Sequence, residues 1–160
     1  MVYQRDAVEA MPAYVQGKSI PNAVKLSSNE NPYPPLASVL EVVREQAATL
    51  GQYQDMSARE LTERIAQRWD VKAEQVAVGA GSVEVAAQLI NASAGEGDEV
   101  MFAWRSFEAY PILVQVAGAT PVPVPLTADD RHDLEAMLAA VTERTRLIFI
   151  CTPNNPPGSV

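Results

Sequence analysis

Arg146-Leu147-Ile148-Phe149-Ile150-Cys151 runs straight into Thr152-Pro153-Asn154-Asn155-Pro156-Pro157-Gly158-Ser159-Val160. An apolar, β-rich segment gives way at once to Asn, Pro and Gly. A buried parallel strand ends in this way at the carboxyl edge of an open α/β sheet, the edge where ligands bind. The sequence stops at that point. The expectation is a site opening as the chain ends, and so the first half of something larger.

Upstream of this strand the pattern alternates. Gln75–Val78 reads as a short strand, Gly79-Ala80-Gly81-Ser82 as a turn, and 83–92 as a helix with Val85, Ala86, Leu89 and Ile90 inward. Gly95–Asp98 is a loop before a strand over 99–103. Residues 106–117 read as a helix trimmed or kinked by Pro111. Thr120–Val124 is a strand that Pro121 and Pro123 push to an edge. Leu134, Met137, Leu138 and Val141 mark a further helix before the strand 146–151. Strand alternating with helix predicts βαβ units and a mostly parallel sheet with flanking helices.

The first part differs. Pro12, Pro21, Pro32, Pro34 and Pro35 keep 1–35 irregular. Leu36, Val39, Leu40, Val43, Ala47 and Leu50 recur at helical spacing, with Gly51 as the stop. Ser57 and Glu60 have the spacing of a capping box. It opens a helix over about 58–69 with Leu61, Ile65 and Trp69 on one face.

The 160 residues suffice for one domain with a core. Apolar residues make up 48% and charged residues 20%, as in ordinary globular proteins. Twelve basic against 20 acidic residues give a net charge of −8, which disfavours nucleic acid or an anionic membrane as main partner. No apolar stretch reaches the length of a membrane span. Met1–Tyr14 has no secretory h-region, so a cytoplasmic protein is expected. Cys151 reads as buried filler and His132 as a surface residue. One Cys and one His cannot make a Cys/His metal site.

Five segments could carry chemistry. Gly79-Ala80-Gly81-Ser82 puts free N–H groups and a positive helix end around one spot, suited to a phosphate. Equally, it is a tight turn with Ser82 as N-cap. Glu84 stands where a dinucleotide fingerprint has its third glycine, and no Gly-Lys-Ser/Thr follows, so neither nucleotide motif is present. Trp104-Arg105-Ser106-Phe107-Glu108-Ala109-Tyr110 offers aromatic rings at a strand end, for a flat ligand or for the core. Asn154-Asn155 offers an amide donor or an Asx-type turn. Ser27-Ser28-Asn29-Glu30-Asn31-Pro32-Tyr33-Pro34-Pro35 reads as a solvated loop. Tyr53, in Gln52-Tyr53-Gln54-Asp55, is a hinge anchor or a phenol aimed at a ligand.

The order of these segments resembles the pyridoxal-phosphate aminotransferases of fold type I, most of all the histidinol-phosphate aminotransferases. Trp104 to Pro111 resembles the branch that includes aromatic amino acid aminotransferases. The likeness runs from about residue 20 to the end and covers the first half of such an enzyme. It implies an N-terminal arm and substrate flap (1–35), a helical segment of the small domain with its linker (36–70), and the first part of the large α/β domain (71–160). It implies pyridoxal 5'-phosphate as cofactor. Ala80, Gly81 and Ser82 would hold the phosphate, Phe107 would stack on the ring, and Asn155 would bond its phenolic oxygen. Tyr53 would reach the cofactor phosphate of the other subunit in a homodimer. Tyr33 and Asn31 would belong to the flap over the substrate. The reaction implied moves an amino group between an aromatic amino acid or histidinol phosphate and a 2-oxo acid such as 2-oxoglutarate.

Two departures stand out. The family usually has Asn-Pro-Thr-Gly where this chain has Asn155-Pro156-Pro157-Gly158, and Pro157 removes an N–H and predicts a shifted turn. The family's Schiff-base lysine has no counterpart among Lys18, Lys25 and Lys72. Its context lies beyond residue 160, so these residues alone are expected to be inactive. The alternative is a truncated, inactive remnant of such an enzyme.

Overall fold

Strand β1, Glu99–Trp104, is the middle of a three-stranded parallel sheet in a computed structural model of the chain. The structure describes residues 3, 5–11, 20–24 and 30–160. Ser27, Ser28, Asn29, Lys18 and Lys25 therefore lie outside the described residues. The chain divides into two units, one of residues 1–12 with 77–160 and the other of residues 13–76.

In the first unit β2, Thr120–Pro125, pairs with one edge of β1, from Glu99 opposite Thr120 to Trp104 opposite Pro125. Strand β3, Thr145–Phe149, pairs with the other edge, with Val100 opposite Leu147 and Phe102 opposite Phe149. The order β2-β1-β3 means that the chain leaves β1 for one side and later returns to the other. Strand order reverses at β1, which makes its carboxyl end, beside that of β3, a topological switch point. Pro121 and Pro123 do fall on an edge strand, where a missing N–H costs least.

The alternating side chains of β1 serve two cores. Val100 and Phe102 pack with Ile90, Val114 and Ala119, while Met101 and Ala103 pack with Val124 and Met137. Ile90 lies on α1, Ser82–Ser93; Val114 on α2, Ala109–Ala117; Met137 on α3, Leu134–Ala139. Helices α1 and α2 cover one face of the sheet and α3 the other. A strand buried on both faces needs a continuous apolar run, which Val100-Met101-Phe102-Ala103 supplies. Each large side chain buried here contributes about 1.5–3 kcal/mol.

Local chemistry sets the helix ends. Helix α2 begins at Ala109, so Pro111 falls in its first turn, where a missing N–H is tolerated. It ends at Gly118, with φ +87°, where Ala119 N–H donates to Val114 O and closes a Schellman turn. Asp133 caps α3 by accepting from Ala136 N–H at 2.9 Å.

Several expectations need correction. Val76 is extended, but 76–78 forms no ladder: no strand among the described residues lies beside it, and 73–75 is a 3-10 turn. Strand β3 ends at Phe149, so Cys151 is in the following loop and only half-buried. Ile90 and Met137 are buried, but Leu89, expected inward with Ile90, and Leu138 are exposed. His132 is half-buried rather than a surface residue, and its Nε2 accepts the Cys151 N–H at 3.3 Å. Residues 1–35 include one helical turn, Asp6–Glu9. Arg5, just before that turn, donates to Val116 O.

The second unit carries a helix over Ala37–Gln46, continued by a 3-10 turn to Thr49, and another over Arg59–Trp69. The capping box of Ser57 and Glu60 does not form. Asp55 takes its place, accepting from Ser57 N–H and Oγ–H and from Arg59 N–H. A carboxylate at that position is a stronger acceptor for helix-end donors than a hydroxyl, and these bonds hold the Asp55 carboxyl below its usual range. Trp69 is exposed, and Ala66 is the buried residue of that helix.

Candidate functional site

Three loops of the first unit meet at the carboxyl ends of β1 and β3. Ser82, Phe107, Tyr110, Cys151 and Asn155 line one cleft of about 240 Å³. Ser82 opens α1, Phe107 follows β1, Tyr110 is on α2, and Cys151 and Asn155 follow β3. The fold thus brings together Ser82, Phe107 and Asn155, which are 73 positions apart from first to last in the sequence.

The turn before α1 has the shape of an anion cup. Gly81 is its N-cap, with φ +82° and open space where a Cβ would stand. A side chain there would be strained, which is why glycine occupies it. The first intrahelical bond is Val85 N–H to Gly81 O. The N–H groups of Ser82, Val83 and Glu84 precede it and belong to the positive end of a 12-residue helix. Of the two readings of Ser82, the N-cap does not hold: it is the first helical residue, and it lines the cleft. Ala80 is exposed and its N–H donates to the Glu84 carboxylate. Gln88 Nε2 donates to Val78 O at 3.4 Å. Gly79 lies beneath both side chains, and a Cβ there would meet Glu84 Cβ at 3.2 Å and Gln88 Nε2 at 3.3 Å. This explains the acid at the third-glycine position: Glu84 folds back over Gly79 to hold the turn.

The rings form a stack behind the cleft. Phe107 meets Tyr110 edge-on at 5.6 Å and 86°, and Tyr110 stacks on Phe149 at 4.5 Å and 15°. Edge-on packing fixes Phe107 and leaves it on the cleft wall. Burial pushes the Tyr110 phenol up to about 12, with the Cys151 side chain beside it adding to the shift. Trp104 goes to the core, edge-on to Phe102 at 6.1 Å.

Pro157 leaves the final turn closed: Gly158 N–H donates to Asn154 O at 2.7 Å and Asn154 N–H to Ser159 O at 2.8 Å. Asn155 is on the cleft. Sequence reasoning missed Cys151 as a cleft residue, and it placed Tyr110 in an aromatic segment suited to a flat ligand or the core without giving it a role of its own. Tyr110, three positions after Phe107 at a helix start, carried the available signal. The other expected residues belong to the second unit. Tyr53 and Tyr33 are fully or largely exposed, and Asn31 Oδ1 accepts the Tyr33 N–H at 3.0 Å. No helix of the described residues is long and apolar enough to cross a membrane.

A parallel sheet with a glycine turn, an aromatic wall and an amide at its switch point has the layout of an α/β fold that takes ligands at that edge, and the chain belongs to the class I and II aminotransferases. The model of that family, "Aminotransferase class I and II", matches residues 21–160. Among curated relatives, the aromatic amino acid aminotransferase of Cutibacterium acnes is 61% identical over 98% of this chain and 45% of its own length. That of Rhodococcus opacus is 56% identical over 96% of this chain and 43% of its own length. This chain thus spans less than half the length of the curated relatives it matches. Among solved structures, an aspartate aminotransferase variant of Thermus thermophilus superposes with a TM-score of 0.82 at 26% identity, over 98% of this chain and 43% of that one. The histidinol-phosphate aminotransferase of Sinorhizobium meliloti, solved with pyridoxal-5'-phosphate, gives 0.74 at 28% identity, over 81% of this chain and 35% of that one.

Proposed function

We propose that these residues build the phosphate- and ring-binding part of a pyridoxal-phosphate-dependent aminotransferase whose amino donor is an aromatic amino acid. The observation that carries this reading is the convergence of Ser82, Phe107 and Asn155 on one cleft. The residues fit the cofactor. The amides at the start of α1 and the Ser82 hydroxyl would hold the phosphate dianion, with Gly81 leaving room for its close approach. Phe107 would bear one face of the ring, and the Asn155 amide would donate to the phenolic oxygen. Ala80 would join the cup by releasing Glu84. When bound, the cofactor supplies an electron sink for the substrate's α-carbon. Phe107 and Asn155 would orient that ring.

The 61% identity to an aromatic amino acid aminotransferase favours that donor over histidinol phosphate, with 2-oxoglutarate as acceptor. The reading assigns 1–35 to an arm and flap carrying Asn31 and Tyr33, 36–70 to a small-domain helix and linker, and 71–160 to the large domain. It has Tyr53 reaching the cofactor phosphate across a homodimer, in the cytoplasm.

Titrating the 160-residue chain with pyridoxal 5'-phosphate, read by tryptophan quenching, tests it. Saturable binding displaced by inorganic phosphate is expected. Ser82→Ala should weaken it by about 1.5–3 kcal/mol, the worth of a hydrogen bond to a charged group. The apo melting point should barely move, since Ser82 caps nothing. Unchanged affinity would remove the phosphate assignment. With Lys18, Lys25 and Lys72 as its lysines, the same polypeptide should transaminate phenylalanine no faster than free cofactor does.

A further inference from the structure

Among the described residues of the first unit, Ser106 and Asn154 are the two buried uncharged polar ones, with 1% and 2% exposure. Each immediately precedes a residue of the cleft: Ser106 comes before Phe107 and Asn154 before Asn155. The Ser106 hydroxyl donates to Asn154 Oδ1 at 2.7 Å across 48 positions of sequence. Asn154 Nδ2 donates to Arg105 O at 3.1 Å. Both ends of the Asn154 amide are thus spent on the loop after β1. Its backbone closes the loop after β3, accepting from Gly158 N–H and donating to Ser159 O. No sheet ladder joins these loops, because the pairing of β1 with β3 ends at Phe102 opposite Phe149.

We infer that Ser106 and Asn154 are positioning residues, a polar clasp that sets Phe107 and Asn155 at a fixed separation and angle to one another. The inference rests on the cofactor reading above for what the two residues hold, but not for the clasp itself. The physical reason is the cost of the alternative. A buried amide or hydroxyl without its partner is heavily penalised, so the two loops have one arrangement in which all these groups are satisfied. An apolar contact would hold the loops together without fixing their register. The clasp also explains two adjacent asparagines: the first is structural and turned inward, which aims the second at the cleft.

Two measurements test it. The first needs no ligand. Ser106→Ala changes one loop, and amide hydrogen exchange is read on the other. Exchange at Asn154 and Gly158 should quicken by about tenfold, a factor in keeping with the loss of one buried bond. Unchanged exchange there overturns the clasp. The second separates positioning from stability by pairing Ser106→Ala with Asn154→Leu, which replaces both polar partners by apolar groups. The paired variant should regain only part of the melting temperature lost in Ser106→Ala alone, because the Arg105 carbonyl is left without its donor. Its affinity for pyridoxal 5'-phosphate should stay about tenfold or more below the parent, because the ring wall and the amide are no longer in register. Parental affinity in the paired variant would mean that the clasp only stabilises, and would overturn the positioning role. If the parent chain itself fails to bind pyridoxal 5'-phosphate, the cofactor reading falls, while the exchange result still decides whether the two loops are clasped.

Discussion

The two ends of the sheet are held by opposite chemistry. At the amino end, Glu99 is 5% exposed and lies among charged and hydroxyl groups. The Arg144 guanidinium donates to its Oε1, from Nε at 2.9 Å, and Thr142 Oγ1 donates to its Oε2 at 2.6 Å. Arg146 pairs with Asp98 at 2.9 Å beside it. At the carboxyl end the groups joining the loops after β1 and β3 are neutral, Ser106, Asn154 and a wall of rings, and the carboxylate at the cup, Glu84, is exposed rather than buried. A network of fixed charges suits an end that only has to stay closed. If that end takes the phosphate dianion proposed above, a buried carboxylate in its wall would oppose it, since like charges at close range disfavour both. Neutral hydrogen bonds would give that end rigidity without repelling such a ligand.

The largest effect expected is on both ends together. Phe102→Ala removes a ring that packs on Trp104 and Tyr110 from the middle of β1, and should cost about 3–5 kcal/mol in denaturant unfolding. If one end kept its hydrogen-exchange protection while the other lost it, the sheet would not be the rigid link between them.

Acid and base should then separate the ends. The Thr142 hydroxyl and the Arg144 guanidinium hold the Glu99 carboxyl below its usual range. A carboxyl lowered on folding contributes stability above its unfolded value, and that contribution fades as pH falls through the folded one. The amino end should therefore loosen in acid, and Glu99→Gln should flatten the acid limb of a melting-temperature profile. A limb of unchanged slope in that variant would move the acid sensitivity elsewhere.

Tyr110 predicts the reverse. Its phenol is raised to about 12, so its contribution is complete below the unfolded value near 10 and is lost as pH climbs toward 12. The carboxyl end should loosen in base, and Tyr110→Phe should remove that loss. Tyrosinate absorbance, followed beside the unfolding signal, checks the coincidence.

The smallest effect belongs to the outermost pair. Arg146→Ala breaks the contact with Asp98, half-exposed on the arginine side, and should cost less than about 1 kcal/mol. A larger loss would mean that the charges at the amino end act as a coupled network.

Much of this was legible in the sequence. The alternation of strand and helix gave the parallel sheet, and Pro121 and Pro123 gave the edge. The ordered motifs picked out Ser82, Phe107 and Asn155, which one cleft collects. What was not legible depends on partners far away or on competing local acceptors. Val76 has the propensity for a strand, but a strand exists only beside another. Ser57 and Glu60 fit a capping pattern until Asp55, two residues earlier, takes the same donors. Leu89 and Leu138 obey helical periodicity, yet the sheet reaches only Ile90 and Met137. The Asn154-Asn155 pair read as an amide donor or an Asx-type turn, and the clasp on Asn154 was not visible because Ser106 is 48 positions away and no local pattern marks such a contact.

The β2-β1-β3 order also governs how the sheet must assemble. Among the described residues no two strands form a hairpin, so every rung of the ladder joins residues far apart in the chain, a topology that folds slowly. On a ribosome, β1 emerges first and its second edge stays bare until β3 follows. About 45 residues separate the ends of those two strands. At about 5–20 residues per second that is a wait of roughly 2–9 s. For that interval the most apolar strand of the unit has one unpaired edge, and nascent chains crowded on one message are the nearest strands available to it.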